Sequence, residues 1–382
     1  MDVGRIFNGM QYKVTLETER GGTATVERGE PGSYSAELSV RVRVPKPHRD
    51  LEELKRLNAD LPELLPSLPE MLETARVSPF FEEIYRRKIE NLRSNLSRLD
   101  ALISRHNFFD TETVLELQHP LTKRRALLVQ ADMDVDEDGS DSDRVPEVDG
   151  SSVTFQPFTS YRWPKRTEIP NSFAHWRTAK VRQCEQELTS GGLPAARLQE
   201  LRETLARLKS EISDLKKYSY LVGSKDPFIV LPGSMFGRAE GGFVPSVGDY
   251  CVVAYGKTLY PAIVGDVGPK YKTGEGSLRL CKELNHRANS VNRPVSDLKV
   301  TYLVFPGTDE KPWGVPNLDR WRERCAKLLE ELGGYQGELF KWEDLTKPKL
   351  PPDFIGPPMP LPVVGVTAAS GATPAGASPK AP

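Results

Sequence analysis

Between Asp132 and Asp143 seven of twelve residues are acidic, directly after the apolar run Ala126 to Val129. Asp134, Asp136, Asp138 and Gly139 match positions 1, 3, 5 and 6 of an EF-hand loop. Position 12 is Val145, where a bidentate glutamate should close the coordination shell, and no helical pattern flanks the loop. A solvated acidic loop and a calcium site of another kind both remain open, and the favoured reading is a negative wall for a cationic ligand. A second pair lies downstream. Asp266 ends an apolar strand pattern, and Glu275 follows a glycine-rich turn and opens the pattern of a short helix carrying Leu278, Cys281 and Leu284. Two carboxylates flanking a loop that folds back can serve as acid and base. Equally, a glutamate at a helix start compensates the helix dipole, and spacing alone does not choose.

Other chemistries lack support. Cys184, Cys251, Cys281 and Cys325 form no CxxC pair and are expected to be buried thiols. The five histidines are scattered, so neither a zinc site nor a Cys/His nucleophile is indicated, and no cofactor or metal is expected. Fifty-two Lys plus Arg against 53 Asp plus Glu leave a net charge of −1 over 382 residues, without the electrostatic footprint of a nucleic-acid binder. No apolar run is long enough to span a membrane, and Met1 to Met10 lacks the apolar core of a secretory leader.

The elements that must position these residues follow from periodicity. Tyr12 to Thr18 and Leu38 to Val44 alternate as strands of an antiparallel ribbon. Ser78 and Pro79 open a helix predicted to run to about Arg105, with Ile89, Leu92, Leu96, Leu99 and Ile103 as its stripe. A helical hairpin spans about 169–217, broken at Ser190 to Pro194. Its second arm carries a heptad seam of Leu198, Leu201, Leu205, Leu208, Ile212 and Leu215, and its first arm offers Trp176, Val181, Cys184 and Leu188. Short strands at Phe228 to Leu231, Tyr250 to Tyr255, Thr258 to Val264 and Val300 to Phe305, with one short helix from about Gly276 to Leu284, favour a small barrel over a parallel sheet. A last helix runs from about Asn317 to Leu332. From Leu345 onward ten of 38 residues are proline, and the tail is expected to be disordered.

Several separate blocks carry a resemblance in a fixed order: Asp132 to Gly139 (DMDVDEDG), Pro227 to Pro232 (PFIVLP), Leu259 to Asp266 (LYPAIVGD), Thr273 to Ser277 (TGEGS) and Tyr302 to Gly307 (YLVFPG). Together they resemble glycoside hydrolase family 75, the fungal-type chitosanases. The resemblance implies that Asp266 and Glu275 are the catalytic pair of an inverting, endo-acting hydrolase of β-1,4 links between glucosamine units. It makes the acidic block, with Asp132, Asp134 and Asp136, a wall for cationic chitosan. Tyr260, Tyr271 and Trp163 are candidates to stack on sugars, although ordinary packing is the commoner role for such rings. Glu275 is assigned as general acid and Asp266 as general base; a helix N-terminus beneath Glu275 would oppose that role unless burial or anions outweigh it. Thr273 and Ser277 read as structural.

The expected fold is mixed but mainly β: a small, double-psi-like barrel with an inserted helical hairpin. A strand-plus-helix extension occupies 1–120, the chitosanase-like domain 121–343 and a Pro/Ala-rich tail 344–382. The family is typically secreted, yet no leader is seen in this sequence. Chitosan is the expected partner, with neither nucleic acid nor membrane, and the hairpin offers a surface for self-association. The competing function is an inactive polysaccharide-binding or assembly protein that retains the barrel.

Overall fold

The structure is a computed structural model describing residues 3–7, 10–13, 39–102, 104, 107, 110–145, 155–237, 243–290 and 295–347. Most of the expected N-terminal ribbon and nearly all of the proline-rich tail lie outside these residues. Strands β1 (Val3–Phe7) and β2 (Met10–Lys13) pair as a hairpin. Three short helices follow, α1 (Leu51–Lys55), α2 (Leu61–Leu64) and α3 (Leu68–Leu72), then β3 (Arg76–Val77), α4 (Pro79–Ser94) and α5 (Leu99–Leu102). Next come β4 (Thr111–Gln118), β5 (Arg125–Asp136) and β6 (Arg162–Pro164), and then the helical arms α6 (Ser172–Thr189) and α7 (Ala195–Lys217). The remaining elements are β7 (Tyr218–Tyr220), β8 (Phe228–Pro232), β9 (Tyr250–Tyr255), β10 (Thr258–Gly268), β11 (Glu275–Ser277), α8 (Leu278–Leu284), β12 (Val295–Val304), α9 (Leu318–Glu331) and β13 (Glu338–Leu339).

Strands β11, β8, β10, β9, β12 and β5 are hydrogen-bonded in that order, and β11 pairs again with β5, so six strands close a barrel. Two pairings, β8 with β10 and β5 with β11, are parallel; the other four are antiparallel. Alternate residues of each strand face opposite layers, as the pleat requires. Leu128, Phe228, Val252, Ile263 and Leu303 pack with the three N-terminal helices and α9. Their neighbours Val129, Ile229, Val253, Val264 and Tyr302 pack with α4 and α8. All four cysteines are buried free thiols.

Several elements depart from the periodicity reading. Residues 39–44 form no strand. Helix α4 stops at Ser94, and its buried face is Phe80, Phe81, Ile84, Tyr85, Lys88 and Leu92, while Leu96 is exposed. Leu92 of the expected stripe is in that face beside the aromatic residues of the first turns, and Leu96 falls past the helix end. Ser78 caps this helix as expected, accepting from the Phe80 amide. Asp132 to Asp136 lie on β5, not in a loop, because the barrel carries the strand past its apolar run. The short helix starts at Leu278 with Ser277 as its cap, so Glu275 sits on a strand and Thr273 caps nothing there.

The hairpin matches its pattern. Gly191 and Gly192 turn the chain with positive φ, and Leu201, Leu205 and Leu208 of α7 are buried against Val181 and Cys184 of α6. Trp176, expected in this seam, is exposed and rests on the Phe173 ring instead. Since α6 covers the seam, Leu205→Asp with Leu208→Asp should cost at least about 3 kcal/mol per site. Urea unfolding followed by helical circular dichroism measures this, and gel filtration reports any change in mass.

Candidate active site

Both carboxylates of the sequence pair stand beside the same residue of β8. Val230 is the partner of Asp266 on β10 and of Glu275 on β11. Glu275 is in turn the partner of Asp134 on β5. Paired residues share a sheet face, so Asp266, Val230, Glu275 and Asp134 form one row across four strands. With strands about 4.8 Å apart, the Cα atoms of Asp266 and Glu275 lie roughly 9–10 Å from each other. The row belongs to the face that buries Phe228 and Leu128, and its carboxylates begin where those apolar residues end.

Asp266 reaches this face through a bulge. The register of β10 against β8 runs Ile263 to Phe228 and Val264 to Ile229, then skips Gly265 and resumes with Asp266 at Val230. Without the extra residue Asp266 would point to the opposite layer. Only glycine fits at the bulge, because a Cβ on Gly265 would lie 2.6 Å from Phe228 Cβ and 2.7 Å from Leu221 Cδ1.

The row opens into a cavity of about 270 Å³ lined by six carboxylates, Asp134, Asp136, Glu137, Asp138, Asp266 and Glu275, with Lys272 as the cation of its wall. Lys272 Nζ lies 2.8 Å from Glu275 Oε1 and 3.0 Å from Asp134 Oδ2. Burial would lower the pKa of this ammonium, but the two carboxylates outweigh it and raise it. Asp136 Oδ1 accepts from the Asp138 amide at 2.7 Å, and Asp138 Oδ1 accepts from the Gln156 amide at 2.7 Å. Burial pushes Asp138 up to about 7 against the Gln156 donor, with Asp266 and Glu275 adding repulsion. Asp136 is held well above the usual carboxylate range, first by burial and then by Asp138, Asp266 and Glu275. Burial likewise raises Asp266 to about 6, opposed by donors from Ser160 and Val267 and reinforced by Glu275. One oxygen each from Asp136, Asp138 and Asp266 lie within 4.8 Å of one another, close enough to ligate one hard cation.

Other sequence candidates fall elsewhere. Asp132 is buried beneath the cavity floor and does not line it; its carbonyl accepts from the Tyr302 hydroxyl. Tyr260 packs against Phe340 and Trp342, Trp163 lies under Tyr161 and Arg144, and Tyr271 is absent from the cavity lining. Asp141 pairs with Arg144, which also binds Asp226 through two bonds, and Asp143 holds Lys165 and Thr167. The acidic block is thus divided: 134–138 face the cavity, and 141–143 fasten the chain. Sequence reasoning missed Lys272, Ser160 and Val230 as site residues. Lys272 stands three residues before Glu275, which is an uninformative spacing unless the turn is known to fold back.

Two expectations follow from this charge pattern. Lys272→Met removes the cation between two buried carboxylates and should destabilise the protein by about 3–5 kcal/mol at pH 7; the urea midpoint checks this. Asp138 has a raised folded pKa, so the folded state binds more protons than the unfolded one between pH 4 and 7, and its contribution to stability falls as pH rises through that window. Asp138→Asn should therefore raise the melting temperature more at pH 7 than at pH 5.

A family model described as the fungal chitosanase of glycosyl hydrolase group 75 matches residues 133–335, more than half of the chain. No curated protein matches the chain. The matched span contains the bulge, the closing strand and every carboxylate of the cavity wall, and on that match the chain belongs to the fungal chitosanase family of glycosyl hydrolase group 75.

Proposed function

We propose that the chain hydrolyses β-1,4 links between glucosamine units of chitosan, within the polymer and with inversion, using Asp266 and Glu275. The observation that carries this reading is the row in which both carboxylates flank Val230 on one face, inside an acidic cavity. Inverting hydrolysis needs two carboxyl groups about 6.5–9.5 Å apart, with room for water on the far side of the sugar. Residues two strands apart suit that gap, whereas direct ladder neighbours would stand close enough for a covalent intermediate. A cavity with six carboxylates concentrates a polymer that carries ammonium groups and favours glucosamine over its neutral acetylated form. Asp134 is engaged by Lys272, so Asp136, Glu137 and Asp138 are the better candidates to meet the substrate amine.

The acid and base take the reverse of the order expected from sequence. The helix dipole that would have opposed Glu275 as acid is absent, since the residue lies on a strand, but the Lys272 ammonium opposes that role in its place. Asp266, pushed up to about 6, keeps a proton to give to the leaving oxygen in mildly acidic solution. Glu275 receives the Lys272 ammonium at 2.8 Å, a setting that suits a carboxylate drawing a proton from water. As an acid Asp266 must be protonated, so turnover should fall as pH rises above about 6.

Glu275→Gln and Asp266→Asn should each lower turnover on chitosan by about 100-fold or more while leaving binding in place. The first product seen by NMR should carry the α-anomer at its new reducing end; a β-anomer would mean a covalent intermediate. A wild-type chain that binds chitosan and releases no reducing ends would favour the non-catalytic reading. The metal alternative rests on the clustered oxygens of Asp136, Asp138 and Asp266. Micromolar calcium binding by calorimetry, abolished in Asp136→Asn, would support it against amine recognition.

A further inference from the structure

The bulge that turns Asp266 into the cavity leaves a weak point in the sheet. Gly265 has no partner on β8, so its carbonyl is released from that ladder. The Tyr161 amide takes it at 2.9 Å. One residue earlier, Ser160 turns two donors on the Asp266 carboxylate: its amide at 2.9 Å and its hydroxyl at 2.6 Å, both to Oδ1. The Val267 amide adds a third donor to the same oxygen at 2.7 Å. Three donors therefore converge on Oδ1, and among the described residues no hydrogen bond falls on Oδ2.

The segment that does this is fastened independently of Asp266. Gln156 is bonded through both backbone groups, its amide to Asp138 Oδ1 and its carbonyl from the Gly139 amide. The Thr159 hydroxyl donates to the Tyr161 carbonyl and accepts from the Leu221 amide. Ser160 thus projects from a pinned stretch of backbone, not from a loose loop. A pinned donor fixes the torsion of a carboxylate that the cavity would otherwise disturb: Asp136, Asp138 and Glu275 share that space with Asp266, as do Glu137, Asp134 and the Lys272 cation.

We infer that Ser160 is a positioning residue for Asp266, holding Oδ1 so that Oδ2 is presented to the cavity for proton transfer. The inference rests on the proposed role of Asp266 and adds to it the group that fixes its geometry. Ser160 touches no cavity space itself; it lines a separate groove of about 550 Å³ beside α7, and so acts through Asp266. Threonine keeps the hydroxyl that bonds Asp266, which makes Ser160→Thr a control.

The test compares Ser160→Ala and Ser160→Thr with the wild type on chitosan, together with crystal structures of all three. Ser160→Ala removes the hydroxyl and leaves the Ser160 and Val267 amides on Oδ1, so kcat should fall roughly 10-fold, less than the about 100-fold of a fully misplaced group, with KM changed by less than about 2-fold and the Asp266 carboxylate rotated. Ser160→Thr should restore both kcat and the carboxylate orientation. A Ser160→Ala enzyme with wild-type kcat, or one whose Asp266 keeps its orientation, would overturn the inference. If the wild type does not cleave chitosan the proposed function fails, and the crystal structures still decide whether Ser160 positions Asp266.

Discussion

Closure of the barrel by a strand of three residues is the constraint on which the site depends. Strand β11 bonds β8 on one side and β5 on the other, with Glu275 opposite Val230 and Asp134 at once. An open sheet would leave these backbone groups unpaired at an edge. Closing it forces the acidic end of β5 against the glutamate. The turn before β11 is equally constrained: Gly274 has positive φ, and a Cβ there would lie 2.0 Å from the Asp132 carbonyl oxygen. Lys272 is carried by the same turn, so the cation that makes this approach of carboxylates tolerable arrives with the strand that causes it.

Such a site works against stability. Asp136, Asp138 and Asp266 are all raised by burial and then by neighbouring carboxylates, Glu275 among them in each case, so each is harder to ionise folded than unfolded. The folded state gains from protonation in mildly acidic solution and loses that gain as pH rises. If the cavity takes a cationic polymer, as proposed, that polymer opposes the local field and favours the ionised forms. Binding of substrate and protonation of the wall are then opposed processes, and on the same proposal Asp266, whose carboxylate accepts from Ser160, is the member of the cluster suited to keep its proton.

How much of this was legible in the sequence depends on the kind of signal. The seam of α7 could be read from Leu201, Leu205 and Leu208, because heptad burial is a local rule and its partner arm lies next in the chain. The barrel strands could be read from β-branched and aromatic runs bounded by glycine and proline. The pair Asp266 and Glu275 stood out only when several blocks were taken together as a family resemblance, since neither residue has a local spacing that marks it. The stripe of α4 is cut short because the helix ends at Ser94: Leu92 is buried with Phe81 and Tyr85, whereas Leu96 lies past the helix end and is exposed. The aromatic candidates failed for a different reason: Tyr260 and Trp163 fill the layers around the barrel, and a ring's type does not reveal whether its neighbour is a sugar or another ring.

The least legible feature is the one that turns Asp266 into the cavity. A single glycine in the string Ile263, Val264, Gly265, Asp266 shifts the alternation by one, and an observer counting by twos would place Asp266 in the layer with Val264. The bulge can be inferred only from what crowds Gly265, namely Phe228 and Leu221, and from what donates to its freed carbonyl, namely the Tyr161 amide. All three lie far away in sequence, and two of them flank the helical hairpin, on the segments that enter and leave it. The hairpin is therefore not a neutral insertion as far as the site is concerned: β6 and β7 pair at its base, Trp163 with Ser219, and fix the spacing of the strand ends that hold Ser160 and Leu221. A change in that pairing would reach Asp266 through the bulge, and Asp138 through the Gly223 amide that bonds its carbonyl.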